Sequence, residues 1–321
     1  MSINKNGFGV SPYMQELACY AGQLECYVKS DEILERFTNV KICPSQIYRI
    51  TTFISESLQA EDNKAERLLS PMSKEDVLYV ELDGSMVCTR NKDSWKEVKL
   101  GRLFKDSDCL NPNTNVSFLS ASQYVGHFGT SEEFEKKLEK VIDLHGDLKN
   151  KLVFISDGAT WIREWISERY PLSTSILDFY HAMEHLYEFA EKAFTNATVE
   201  KTQWCENQKK LLLESDIETV IDNITKTKAK EEDKKKLIKY YQNNKNRMRY
   251  KYYKSIGCGI IGSGAIESAH RTVIQKRMKL AGQRWSTNGA INMLRLRIIA
   301  MNKRWDKVID FLKKTPLKTC A

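Results

Sequence analysis

Val77-Leu78-Tyr79-Val80-Glu81-Leu82-Asp83-Gly84 is an apolar run that ends in Asp-Gly. Lys151-Leu152-Val153-Phe154-Ile155-Ser156-Asp157-Gly158 repeats the pattern further along the chain. Each run is short, apolar and rich in β-branched residues, which predicts a buried strand. Asp-Gly is also a common turn dipeptide, so either Asp taken alone suits a strand-end turn. Taken together, the two place carboxylates at one sheet edge, where ligand sites of α/β folds gather. A carboxylate at the end of an apolar strand is costly unless a cation meets it. Two carboxylates from separate strands suit Mg²⁺, which takes few carboxylates and completes its shell with water and phosphate oxygens.

Working outward, Ser85–Arg90 and Trp95–Lys105 read as further strands, with a hairpin near Asn91-Lys92-Asp93. Ser131–His145 carries Phe134, Leu138, Val141 and Ile142 at helical spacing. A helix at Thr160–Arg169 and a strand at Ser175–Phe179 follow, giving the order β-β-β-α-β-α-β of a mixed α/β sheet. Residues 182–255 show only helical periodicity and heavy charge. Gly257–Gly264, with four glycines, breaks that pattern before helices resume over 265–280 and 287–313. At the other end, Ser11-Pro12 opens a helix, and Asp31–Phe37, a turn over Thr38–Cys43 and Pro44–Ile54 read as helix-turn-helix. Its second helix offers Ser45, Gln46, Arg49 and Thr52 to DNA, although many helical hairpins share this pattern. Residues 61–75 read as a linker. The expected organisation is a helical domain over 1–70, an α/β core over 71–185 and 257–321, and a helical insertion over 186–256.

The net charge of +8 conceals a division. Residues 1–200 hold 22 Lys and Arg against 31 Asp and Glu, and residues 201–321 hold 28 against 11. The basic third predicts an anionic partner, with Lys-rich solvated helix faces as the plainer account of 201–256. No apolar run reaches the roughly 18–20 residues needed to cross a membrane. Met1–Asn6 lead into no apolar stretch, so neither a membrane role nor a signal peptide is expected. The eight cysteines contain no CxxC pair, which excludes a zinc-ribbon motif and favours reduced thiols and a cytoplasmic setting.

A third acid stands out. Glu267 follows Gly262-Ser263-Gly264 and opens a helix in a region where only Asp306 and Asp310 are also acidic. An acid there also complements a helix dipole, for a few tenths of a kcal/mol. Asp178-Phe179-Tyr180-His181 follows the last strand, as a supporting pair or a structural one. His181-Ala182-Met183-Glu184-His185 spells HxxEH, the zinc-peptidase pattern. Arg247–Lys254 interleaves cations and aromatics, which suits single-strand contacts or helix packing.

These residues resemble bacterial insertion-sequence transposases of the Kra type. The resemblance rests on Tyr79–Gly84, Glu97–Gly101, Ser156–Ile162, Leu177–Leu186, Ile266-Glu267-Ser268, Trp285–Ala290 and Leu294–Arg297, in the family's order over about residues 10–310. It implies an RNase-H-like mixed sheet with an all-helical insertion, behind a helix-turn-helix-like N-terminal domain. It implies Asp83, Asp157 and Glu267 as catalytic acids and ligands of two Mg²⁺ ions, with Mn²⁺ able to substitute. Asp178 and His181 then form the DxxH signature. Arg271, Lys276, Arg277, Lys279, Arg284 and Trp285, with Gln46 and Arg49, are expected on double-stranded DNA, both transposon end repeats and target, with a buried core position as the other reading of Trp285. A homo-oligomer on DNA and a nucleoid-associated location are expected too. The alternatives are a domesticated or truncated copy that binds DNA without cutting and, more remotely, the HxxEH zinc peptidase.

Overall fold

The computed structural model describes residues 8–90, 95–110, 118–195 and 198–314. The hairpin expected near Asn91-Lys92-Asp93 lies outside them. Five strands form one sheet: β1 (Leu78–Cys88), β2 (Trp95–Lys105), β3 (Gln123–His127), β4 (Leu152–Ser156) and β5 (Thr174–Leu177), in spatial order β3-β2-β1-β4-β5. β1 and β2 pair antiparallel, as do β2 and β3; β4 runs parallel to both β1 and β5. The mixed α/β class holds.

The main sheet has the five strands expected, through two compensating errors, while a two-stranded ribbon of Cys109–Leu110 and Phe118–Leu119 is not among those expected. Val77–Gly84 and Ser85–Arg90 are one strand, because β2 continues the ladder past Asp83↔Leu100 to Cys88↔Trp95. The third strand is instead Gln123–His127, which is short and contains Gly126. Asp83 therefore does not end its strand. It stands where β1 outruns β4, whose pairing stops at Leu82↔Ser156.

Strand alternation sorts the sheet into two faces. Leu78, Val80, Leu82, Leu152 and Phe154 pack under α4 (Ser131–Asp143) and α5 (Thr160–Arg169). Tyr79, Val153 and Ile155 face the other way, toward α6 (Phe179–Ala193) and the helices that follow it: α7 (Thr198–Leu213), α8 (Ile217–Thr225), α9 (Glu231–Asn244) and α10 (Tyr250–Tyr253). Arg247, Tyr250 and Tyr253 are buried in that layer, so much of the cation–aromatic stretch is packing rather than open surface.

A rod over Gly264–Met278 then lies along β1. It comprises α11 (Gly264–Ala269), a π-helical turn (His270–Gln275) and α12 (Lys276–Met278). Next come α13 (Thr287–Met301) and α14 (Asp306–Lys314).

Of the N-terminal helices, α1 (Pro12–Leu24, capped by Ser11) and α3 (Pro44–Ser57) begin where expected, whereas α2 (Tyr27–Thr38) begins four residues before the expected Asp31. Their core is shared: Ala18, Ile47, Ile50 and Ile54 pack with Leu296, Val308 and Leu312. Ser55 Oγ donates to the Asn292 carbonyl at 2.9 Å, and Arg295 pairs with Asp62 at 2.7 Å. No helix among the described residues is long and apolar enough to cross a membrane.

Beyond α4, His145 is buried and neither ring nitrogen has a hydrogen-bond partner among the described residues. Burial first, then the charges of Arg67 and Lys105, push its pKa down to about 4. The unfolded chain protonates this ring near 6.5, so between about 6.5 and 4 it binds the proton that the folded chain refuses. Stability from His145 is therefore present above 6.5 and lost as pH falls toward 4, by on the order of 3 kcal/mol at most. Denaturant melts of wild type and His145→Phe between pH 7 and 4 check this. The variant should lose less stability on acidification, and parallel pH profiles would refute the assignment.

Candidate active site

The register of β1 against β4 sets the site. Leu82 pairs with Ser156, so Asp83, still within β1, and Asp157, just past the end of β4, are the next residues on adjacent strands. Both carboxylates are locally braced: Asp83 Oδ1 accepts the Gly84 amide at 2.7 Å, and Asp157 Oδ1 accepts the Ala159 amide at 3.0 Å. Burial pushes the Asp83 carboxyl up to about 6; the charges of Asp157 and Asp178 add to the rise, and the Gly84 amide and His181 oppose it. Like charges crowded in a half-dry pocket are what a cation relieves.

Asp178 is buried and caps α6, accepting the Tyr180 amide at 2.9 Å. Its carboxylate also accepts the Ser263 amide at 3.2 Å and the Ser263 hydroxyl at 2.5 Å. It thus ties the glycine loop to the end of β5, the structural side of its sequence reading. His181, partly exposed on α6, places Nδ1 3.1 Å from Glu184 and meets the His185 ring edge to face at 5.2 Å. Among the described residues no three His, Cys, Asp or Glu side chains stand close enough to hold a metal ion. That holds for HxxEH and for the three acids alike. Asp83 and Asp157 fit a hard cation by position and by oxygen chemistry. Glu267 is exposed on the rod and completes no three-ligand group in this conformation.

The rod follows β1 step by step. Glu81 Oε2 accepts the Ile266 amide at 2.6 Å, Asp83 Oδ2 lies 3.4 Å from His270 Nε2, and Lys279 Nζ donates to Ser85 Oγ at 3.0 Å. Glu81, Asp83 and Ser85 alternate onto one face, so Glu267 enters between the first two contact points. His270 is buried, and burial pushes its pKa down to about 4, leaving a neutral ring against Asp83.

The expected DNA contacts divide. Arg49, Arg271, Lys276, Lys279 and Arg284 are exposed, and Gln46 is partly so. Arg277 and Trp285 require correction, since both are buried. The Arg277 guanidinium lies between the Tyr27 and Trp285 rings, 4.8 and 5.2 Å from their centres, and its Nε donates to the Gly22 carbonyl at 2.9 Å. Trp285 donates from its indole to the Met278 carbonyl at 3.0 Å, and its backbone bonds to Cys88 and Arg90. Together they lock the end of the rod to α1 and β1. Their periodicity carried the signal: Arg277 falls four residues after Val273, on the buried face.

Sequence reasoning also missed Glu81, His270 and Tyr240, whereas Arg247 takes the packing side of its reading. Glu81 was legible as an acid two residues before Asp83, hence on its face. Tyr240 from the insertion closes over Gly158, where a Cβ would stand 2.6 Å from its ring, and its hydroxyl is buried without a partner among the described residues.

Fold and site together define a mixed α/β protein whose two central strands present paired acids at one edge, crossed by a rod with a third acid. The chain belongs to the uncharacterised protein family UPF0236, whose family model matches residues 9–314. No curated protein matches it.

Proposed function

We propose that the chain is a DDE-type insertion-sequence transposase with an RNase-H-like core, cleaving and rejoining double-stranded DNA by phosphoryl transfer. The observation that carries this is the position of Asp83 and Asp157, each one residue past the last β1–β4 pair, with the rod that bears Glu267 against Asp83. Three strands followed by two helix–strand units around those acids support the RNase-H-like reading.

Asp83, Asp157 and Glu267 would hold Mg²⁺ or Mn²⁺, which supplies charge neutralisation at the phosphate and a more acidic bound water. The remaining roles belong to the chain. Exposed Arg271, Lys276, Lys279 and Arg284 neutralise phosphates beside the acids, and Gln46 and Arg49 on α3 meet the duplex. Transposon ends and target DNA are the proposed partners, engaged by a homo-oligomer.

The test uses purified chain and a plasmid carrying the DNA ends that flank its coding sequence. Mg²⁺- or Mn²⁺-dependent nicking is expected, lost in Glu267→Gln and on adding EDTA. Binding should weaken steeply with salt, as phosphate contacts require. Nicking that survives Glu267→Gln would sink the assignment of the third acid. Salt-dependent binding without nicking would favour a DNA-binding protein that does not cut.

A further inference from the structure

We infer that Glu81 and Arg102 are positioning residues, a cross-strand clamp that fixes where the rod bearing Glu267 meets β1. The inference rests on the reading of Asp83 and Glu267 as working acids. The two residues are directly opposite in the β1–β2 ladder and so project from one face. Glu81 Oε2 accepts the Ile266 amide at 2.6 Å. Arg102 Nη1 donates to the adjacent Ala265 carbonyl at 2.6 Å. One strand pair thus grips both polar groups of a single peptide unit, Ala265–Ile266, in the first turn of the rod.

The local sequence explains why the grip comes from the sheet. A helix start leaves amides unsatisfied, and a Ser at the cap position ordinarily accepts one of them. Ser263 occupies that position but makes no cap bond, because its hydroxyl donates to Asp178. Glu81 replaces the missing cap, its Oε2 accepting an amide that the Ser263 side chain leaves unmet. Arg102 is itself held, donating to Ser122 Oγ at 3.0 Å and lying 5.3 Å from the centre of the Tyr124 ring.

Glu81 is fully buried, and its Oε1 has no partner among the described residues. Stability alone does not favour a half-satisfied buried acid, whereas a site that must keep Glu267 in register with Asp83 does. The clamp joins them directly: Glu81 is two residues from Asp83 on its own face, and Ile266 is the neighbour of Glu267.

Three variants separate the possibilities: Glu81→Gln, which keeps an acceptor for the Ile266 amide, Glu81→Leu, which does not, and Arg102→Met, which keeps Glu81 and removes the Ala265 contact together with the Ser122 bond. The readouts are hydrogen exchange of the segment 264–270 in the metal-free protein, and the Mg²⁺ concentration for half-maximal nicking. Glu81→Leu and Arg102→Met should speed exchange. They should also raise the Mg²⁺ requirement about tenfold, the fold-change from losing one hydrogen bond to a charged group, with DNA binding unchanged. Glu81→Gln should restore both readouts to within about twofold of wild type. A folded Glu81→Leu or Arg102→Met protein with wild-type exchange, or with wild-type Mg²⁺ requirement, overturns the proposal. If Glu81→Leu does not fold, Arg102→Met decides. If the wild type does not nick DNA, the transposase reading fails by itself, and exchange still decides the clamp.

Discussion

Asp157→Asn should lower metal-dependent nicking by roughly 10³-fold or more, about 4 kcal/mol of transition-state stabilisation, and leave the fold intact. Asn retains an oxygen for the Ala159 amide, the bond that Asp157 Oδ1 makes at 3.0 Å. What it removes is one of two charges at the strand step. Asp83 would then lose a neighbour that raises its pKa, so its carboxyl should titrate lower in the variant. The measurement is initial nicking rate beside a thermal melt. A variant within tenfold of wild-type rate would refute the role of Asp157. The double variant Asp83→Asn/Asp157→Asn should be little worse than either alone, because ligands of one charge-neutralising centre act as a unit.

Arg247→Met should have the largest effect on stability. The guanidinium of Arg247 is buried at the ends of β4 and β5. It donates to Ser156 Oγ at 2.7 Å, Ser175 Oγ at 3.0 Å, and the Asp157 and Ile176 carbonyls, both at 3.2 Å. Burial pulls its pKa down from the ordinary arginine value, opposed by the charges of nearby groups that include Asp157. These are backbone and hydroxyl groups that water no longer reaches, so truncation leaves several unpaired. The expected loss is about 3–5 kcal/mol, or a Tm lower by roughly 5–10 °C. Nicking should fall with it, since Arg247 holds the Asp157 peptide. A Tm within 2 °C of wild type would remove Arg247 from this role, taking roughly 1 kcal/mol as the limit of a neutral change.

Much of the architecture was legible because burial leaves a periodic trace. β1 and β4 are continuous apolar runs, and α4 and α5 follow their amphipathic spacing closely. β3 left no such trace: Gln123, Gly126 and His127 dilute it, and only the paired β2 makes it a strand. The acids at 83 and 157 were found by their shared Asp-Gly context. Glu81, two residues earlier, was read as part of the strand because nothing local announces a buried acid whose partners lie at 102 and 266. Arg277 is misread for a related reason, and the same ambiguity leaves Arg247 between single-strand contact and packing. Composition counts a cation as surface, whereas these two are satisfied by rings and carbonyls that only the tertiary fold supplies. Charge polarity in sequence is thus a poor guide to which cations face outward.

The shared core of α1–α3 with α13 and α14 has a consequence for biosynthesis. Ser55 and its partner Asn292 are separated by 237 residues. At roughly 5–20 residues per second, the first helices leave the ribosome about 10–50 seconds before α13 exists to receive them. During that interval Ile47, Ile50 and Ile54 lack the partners that α13 and α14 supply, Leu296, Ile299, Val308 and Leu312. Nascent chains stalled before residue 290 should therefore expose these helices to chaperones and proteases, and α1–α3 complete their packing only once α13 and α14 have been made.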